Sequence, residues 1–326
     1  MRIDIHTHFM SINFVKHLQG RDALPKTVLD GGYYIVQCAP GFNLPMVSRI
    51  LDMEEKLRDM DEMRIDRAIL SHGLPGPDVL GGRDADEWAM RINDELAAIT
   101  HQFPDKFIGW GCLGFGETQN TIAEVDRCID MLGFKGIQIL SHVRDRLLDA
   151  PEFRPVLAHI GRRGVPINMH PTIPLHSTGI DNPGLMLPLG FLYDSSVNVV
   201  RLIQSGLFDE VPSLKLIVPH VGAVLPYLKG RVEVYNQPSL QFSEASSLKH
   251  SLGYYLSNLY IDTVCYHKEA LECSYKVMGA DHLLYGTDHP YGDYKLAAQL
   301  VETLNCSETE QELIYHGNIE RLLNLQ

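Results

Sequence analysis

A chain of 326 residues, 45% hydrophobic and 21% charged, has the composition of an ordinary globular protein and can bury a large core, as one α/β barrel or as two smaller domains. Its 41 acidic against 28 basic residues give a formal charge of -13, which repels polyanions. No basic stripe offsets it, since Arg162-Arg163 and Arg144-Asp145-Arg146 are short solvated clusters, so nucleic acid is not an expected partner. An anionic small molecule would instead need an individually placed arginine. No run of about eighteen apolar residues is available to span a bilayer. Cys38, Cys112, Cys128, Cys265, Cys273 and Cys306 show neither metal-ribbon nor redox spacing, which reads as reduced thiols in the cytoplasm. The first candidate strand starts at Arg2, so no secretory leader is expected ahead of it.

That strand covers residues 2–5 and runs into His6-Thr7-His8. Side chains two apart in extended chain share a face, so both imidazoles project together beyond Ile5, as a metal-binding pair or as two surface histidines of an N-terminal arm. Residues 9–45 follow, rich in glycine, proline and aromatics around Asp30-Gly31-Gly32-Tyr33-Tyr34. Loops this long are usually functional or disordered, and the aromatic content predicts an ordered lid with a small hairpin. A helix is expected over 46–63.

From there amphipathic stretches alternate with short apolar runs bounded by Gly, Pro or Asp, the pattern of βα units on a parallel sheet. Strands are predicted over 2–5, 67–70, 107–112, 136–139, 166–169, 215–219, 259–262 and 283–286. Helices are predicted over 86–103, 119–132, 153–163, 195–208 and 267–278. Eight strands with intervening helices imply one distorted (β/α)8 barrel over 1–326, with 9–45 inserted after the first strand. An open doubly wound sheet would carry a Gly-rich phosphate turn there, where this chain has His-Thr-His-Phe.

Polar residues cluster just past the strands: His6 and His8 after the first, His72 after the second, His170 after the fifth, His220 after the sixth, Asp288-His289 after the eighth. In a barrel these positions share the carboxyl face, where active sites are built. Taken singly, His170 could cap a strand, His220 could be a packed core histidine and Asp288 a helix N-cap. Together, His6, His8, His170, His220 and Asp288 suit a divalent metal. His72 and His142 lie near the same rim as substrate contacts, while His17, His101, His159, His250, His282 and His316 read as surface or packing residues.

The set His6-x-His8, His170-Pro171, Pro219-His220-Val221-Gly222 and Gly286-Thr287-Asp288-His289-Pro290 resembles the amidohydrolase superfamily, in the branch of aminocarboxymuconate semialdehyde decarboxylase and related metal-dependent decarboxylases. The likeness runs through nearly the whole chain, including Gly133-Phe134-Lys135-Gly136-Ile137-Gln138 and Leu225-Pro226-Tyr227 leading to Gly230-Arg231. It implies that His6, His8, His170 and Asp288 hold one divalent ion, usually Zn2+ with Mn2+ as an alternative, and that His220 is the acid/base. In binuclear relatives a carbamylated lysine follows the fourth strand; here that end reads Ile139-Leu140 and Lys135 lies at the other end, so one ion is implied. The semialdehyde decarboxylase holds a substrate carboxylate with an arginine in the hairpin after its first strand, where this chain has Tyr33-Tyr34-Ile35-Val36. The His-x-His pair in turn points away from resorcylate-type enzymes, some of which have glutamate for the first histidine. The branch also implies a homodimer whose partner closes the rim.

Three imidazoles and one carboxylate leave a divalent ion with net positive charge, able to acidify water or polarise a substrate oxygen. The leading expectation is non-oxidative decarboxylation of a small unsaturated or aromatic carboxylic acid, with His220 beside Asp288 carrying the proton and Arg231 pairing with the carboxylate. Hydrolysis or hydration at the same ion is the alternative. A barrel that binds metal without turnover is a third.

Overall fold

The computed structural model describes residues 1–180, 182–237 and 248–325. Eight parallel strands stand in chain order around one sheet: β1 (Ile3–Phe9), β2 (Arg67–His72), β3 (Phe107–Gly111), β4 (Gly136–Leu140), β5 (Ile167–His170), β6 (Leu216–Val218), β7 (Tyr260–Asp262) and β8 (Leu283–Leu284). Their β-branched and aliphatic residues favour extended chain buried on both faces. β1 meets the chain leaving β8 through Ile5 N–H to Tyr285 O (2.9 Å), Asp288 N–H to His6 O (2.8 Å) and His8 N–H to His289 O (2.9 Å). These bonds close the sheet into a barrel.

Each strand feeds a helix of the outer layer: α1 (Met53–Met63), α2 (Gly82–Gln102), α3 (Thr118–Asp130), α4 (Arg154–Arg163), α5 (Phe191–Gln204), α6 (Leu225–Tyr235), α7 (Lys268–Met278) and α8 (Tyr294–Leu300). Among the described residues no helix is long and apolar enough to cross a membrane. The helix expected over 46–63 is broken at Asp52, whose extended backbone and carboxylate, accepting from Glu54 N–H and Glu55 N–H, start α1 afresh.

Inside the barrel, Ile3, Ile5, Ile69, Ile108, Trp110, Ile217 and Leu284 form one buried cluster with Ile319 and Leu323 of the C-terminal helix. Alternation would then turn His6 away from Ile5. The β1/β2 register slips between Asp4 and Thr7, and this bulge brings His6 and His8 to the inner face as well. Asp4 holds it, its carboxylate accepting from His6 N–H (3.0 Å), Thr287 N–H (3.1 Å) and Thr287 Oγ1 (2.6 Å).

The 9–45 excursion is ordered: a short helix, Ile12–His17, then a three-stranded antiparallel sheet of Lys26–Asp30, Tyr33–Ala39 and Phe42–Pro45. Its first turn places Gly31 and Gly32 at φ 54° and 86°, a conformation that favours glycine at both positions. Phe42 packs with Leu74, Leu140, Met186 and Phe191, which seats the sheet on the loops above the barrel's carboxyl face.

Candidate metal centre

His6 and His8 project from β1, His170 ends β5, and Asp288 lies in the turn after β8. One donor atom from each of these four residues falls within 4.8 Å of the others. His6 Nε2 is 3.2 Å from His8 Nε2 and 3.3 Å from Asp288 Oδ1, and His8 Nε2 is 3.2 Å from Asp288 Oδ1. Ligands bound about 2.0–2.2 Å from one ion stand roughly 2.8–3.6 Å apart, the lower end in an octahedral and the upper end in a tetrahedral shell. The spacing fits a single ion.

The far side of each ring fixes its tautomer. His6 Nδ1–H donates to Asp262 Oδ2 at 2.6 Å, His170 Nδ1–H to the Pro171 carbonyl at 2.7 Å, and His8 Nδ1–H to Ser71 Oγ at 3.3 Å. All three Nε2 lone pairs therefore point at one another, an arrangement that repels itself unless a cation sits among them.

Electrostatics agrees. Burial works against a charged His6, yet Asp288 and Asp262 prevail and raise its pKa to about 9. Burial lowers His8 to about 4 and His170 well below the usual imidazole range. Burial would raise Asp288, but His6 and hydrogen bonds from His220 and His8 hold it far below the ordinary carboxylate value. One positive charge is stabilised here, whether a proton or an ion.

His220 stands apart from the four. It follows β6 with φ 55° and ψ 59°, and Val221 (φ 52°) continues in the same left-handed region. Asp288 is at φ 65°. Such backbone costs about 1–3 kcal/mol per non-glycine residue and persists where surrounding bonds impose it. Asp262 imposes part of it, its Oδ1 accepting from Val221 N–H (3.1 Å) and Val264 N–H (3.0 Å) while Oδ2 holds His6. The resulting turn brings His220 Nε2 to 3.6 Å from Asp288 Oδ2, with side chains 18% and 14% exposed against 1% for His6 and His8. His220 and Asp288 are thus the more open side chains of this group.

Sequence reasoning missed Asp262, Ser71, Tyr291 and the role of Gly286. Asp262 ends the seventh strand, the same rim position that singled out the histidines. At Gly286 space is tight, because a Cβ there would lie 3.0 Å from His6 Cβ and 3.3 Å from Asp262 Cβ. Tyr291 sets its ring 5.7 Å from that of His8, with its hydroxyl buried and without a partner.

His72 and Arg231 are not brought into this cluster. Ser71 takes the inward place on β2, so His72 faces the helical layer against Phe9 and Phe14. There it lines a cavity of about 20 Å³ with Asp78 and Gln138. Arg231 is exposed on α6, stacked over Tyr235 at 4.9 Å. His142 is occupied with the Ile173 carbonyl, 2.7 Å from its Nε2.

A model of the family described as Amidohydrolase matches residues 3–325. The chain is similar to the gamma-resorcylate decarboxylase of Polaromonas sp., 29% identical with 94% of this chain and 98% of that one covered. It is 27% identical to the 2-amino-3-carboxymuconate-6-semialdehyde decarboxylase of Dictyostelium discoideum, over 100% and 92%. A 2-keto-4-carboxy-3-hexenedioate hydratase of Sphingobium sp. matches at 25% over 72% and 71%. Among solved structures, the 5-carboxyvanillate decarboxylase of Sphingomonas paucimobilis superposes with a TM-score of 0.89 at 25% identity, covering 100% and 99%. A dihydroxybenzoic acid decarboxylase of Polaromonas sp., solved with manganese and 2-nitroresorcinol, gives 0.82 at 26% over 99% and 97%. Overall likeness thus does not follow the His-x-His signature, which pointed away from resorcylate-type enzymes.

Proposed function

Since the chain belongs to the amidohydrolase family, we propose that it is a metal-dependent, non-oxidative decarboxylase of a small aromatic or unsaturated carboxylic acid. The observation that carries this reading is the separation of roles at the rim: four donors converge on one point, and His220, less buried than the imidazoles among them, stands beside them with its Nε2 3.6 Å from Asp288 Oδ2. The bound ion would act as a Lewis acid toward a substrate oxygen. His220 delivers a proton to the carbon that keeps the electron pair when the bond to the carboxylate breaks, and CO2 leaves. Asp288 orients the imidazole, and solvent restores the proton. Arg231, which no carboxylate among the described residues holds, is the proposed partner of the substrate carboxylate.

We assign one ion per chain to His6, His8, His170 and Asp288. Zn2+ suits three imidazoles and a carboxylate, and Mn2+ is the alternative, as in the Polaromonas structure. The hairpin sheet over the rim is read as a lid, and the chain as a homodimer. A cytoplasmic location accords with the six cysteines, all unpaired.

Addition of water by the same site is the second reading, favoured by the hydratase relative. Incubation with a panel of carboxyl-labelled hydroxybenzoic and unsaturated acids in D2O separates the two. Release of labelled CO2 with one deuteron on the vacated carbon is expected. Products that keep the label and gain water would reject decarboxylation.

A further inference from the structure

Three of the four metal ligands lie on the seam between β1 and β8, on stretches 280 residues apart in sequence. β8 keeps regular pairing for only Leu283–Leu284. Beyond that, three backbone bonds cross the seam, and side chains on its outer, helix-facing side supply the rest of the hold.

Lys56 reaches this place from α1, with 1% of its surface exposed. Its ammonium donates to Thr7 Oγ1 at 2.9 Å and to His289 Nδ1 at 2.8 Å. Asp59, one turn further along α1, accepts from the other nitrogen of that ring at 2.8 Å. The imidazole is therefore neutral, with its proton on Nε2 and its Nδ1 lone pair turned to Lys56. The Thr7 hydroxyl gives its own proton to the His289 carbonyl at 3.1 Å. Thr7 stands between His6 and His8, and His289 follows Asp288. One side chain thus bridges both ligand-bearing stretches.

Burying an ammonium is costly unless hydrogen bonds replace water. Methionine would fill the same space without that cost, so packing does not account for a lysine here. We propose that Lys56 is a positioning residue of the metal centre: by holding Thr7 and His289 together it fixes the separation between the imidazoles of β1 and the carboxylate of Asp288. The proposal rests on the metal-centre reading above and adds to it a residue that touches neither ion nor substrate.

The test is Co2+ binding to the full chain, measured by competition with a chelator and by the visible spectrum of the bound ion, alongside the melting temperature of the metal-free protein. The variants are Lys56→Met, Thr7→Val, which keeps the ammonium but removes one acceptor, and Asn93→Ala. The last, on α2, deletes buried bonds to Cys112 O and to Glu124 on α3 and shows what general destabilisation does. Lys56→Met is expected to bind Co2+ about 10–100-fold more weakly, the usual effect of losing a group that orients ligands, and with a changed spectrum. Thr7→Val should show the same change in smaller degree, and carries the test alone if Lys56→Met does not fold. Asn93→Ala should melt earlier with its spectrum intact. Unaltered affinity and spectrum in Lys56→Met and Thr7→Val, or losses no larger than those of Asn93→Ala at equal melting temperature, would overturn the proposal. Failure of the unaltered protein to take up Co2+, read first in the same titration, would instead remove the metal centre itself.

Discussion

A ligand and a proton carrier differ in what their loss does. Asp288 is the only anionic donor of the four, whereas His220, less buried than the other imidazoles, lies 3.6 Å from it. His220→Ala should keep near-stoichiometric metal and lose about 10²–10⁴-fold in turnover, the usual span for a general acid or base. Asp288→Ala should lose both. Metal content and rate measured on the same preparations decide; His220→Ala losing its metal as readily as His170→Ala would assign the proton to the wrong group. The four donors that converge were legible from sequence because each was read at the carboxyl end of a strand, although His6, His8 and His170 lie within the strands themselves. Asp262 and Lys56 were not, since their meaning lies in what they touch: a carboxylate becomes a hub only when His6 and the Val221 amide meet it. Arg231, named by motif, lies over Tyr235, and its pairing with a substrate carboxylate is a proposal of its own.

At the level of elements, strands and helices follow local pattern and their order could be read directly. Irregularities could not. The bulge in β1 depends on Asp4 finding Thr287 across the closing seam, and strict alternation gave the right face to the histidines without the slip that puts Ile5 there too. The 9–45 segment was expected to hold a small hairpin and holds three strands, because Phe42–Pro45 reads as loop until it pairs. Gly286 offers a direct test of how tightly the elements meet. The methyl of Gly286→Ala would press on His6 and Asp262, and overpacking of this kind costs about 1–3 kcal/mol. Metal affinity is expected to fall about tenfold or more with the barrel still folded by circular dichroism. Unchanged affinity would show that His6 and Asp262 have room to spare.

For the whole molecule, metal and pH act together. Without metal, the folded-state pKa of His6 is raised from 6.5 to about 9, so its contribution to stability is full below pH 6.5 and is lost as pH rises through 9. Bound metal replaces that proton and removes the loss. His72 acts in both forms with the opposite sign: burial lowers it from 6.5 to about 3, so its contribution is present above pH 6.5 and disappears as pH falls toward 3. Melting curves with and without a chelator should therefore both decline in acid and diverge between pH 6.5 and 9, with the metal-loaded protein the more stable. A constant gap across that window would contradict the assignment of His6. The seam between the first and last strands also sets an order of events during synthesis. β1 leaves the ribosome offering two imidazoles on an unpaired edge, too few donors to hold an ion firmly, and Asp288 follows His8 only 280 residues later. Metal capture is in effect an inspection of the finished barrel, and a message cut short before the last strand yields a protein that cannot pass it.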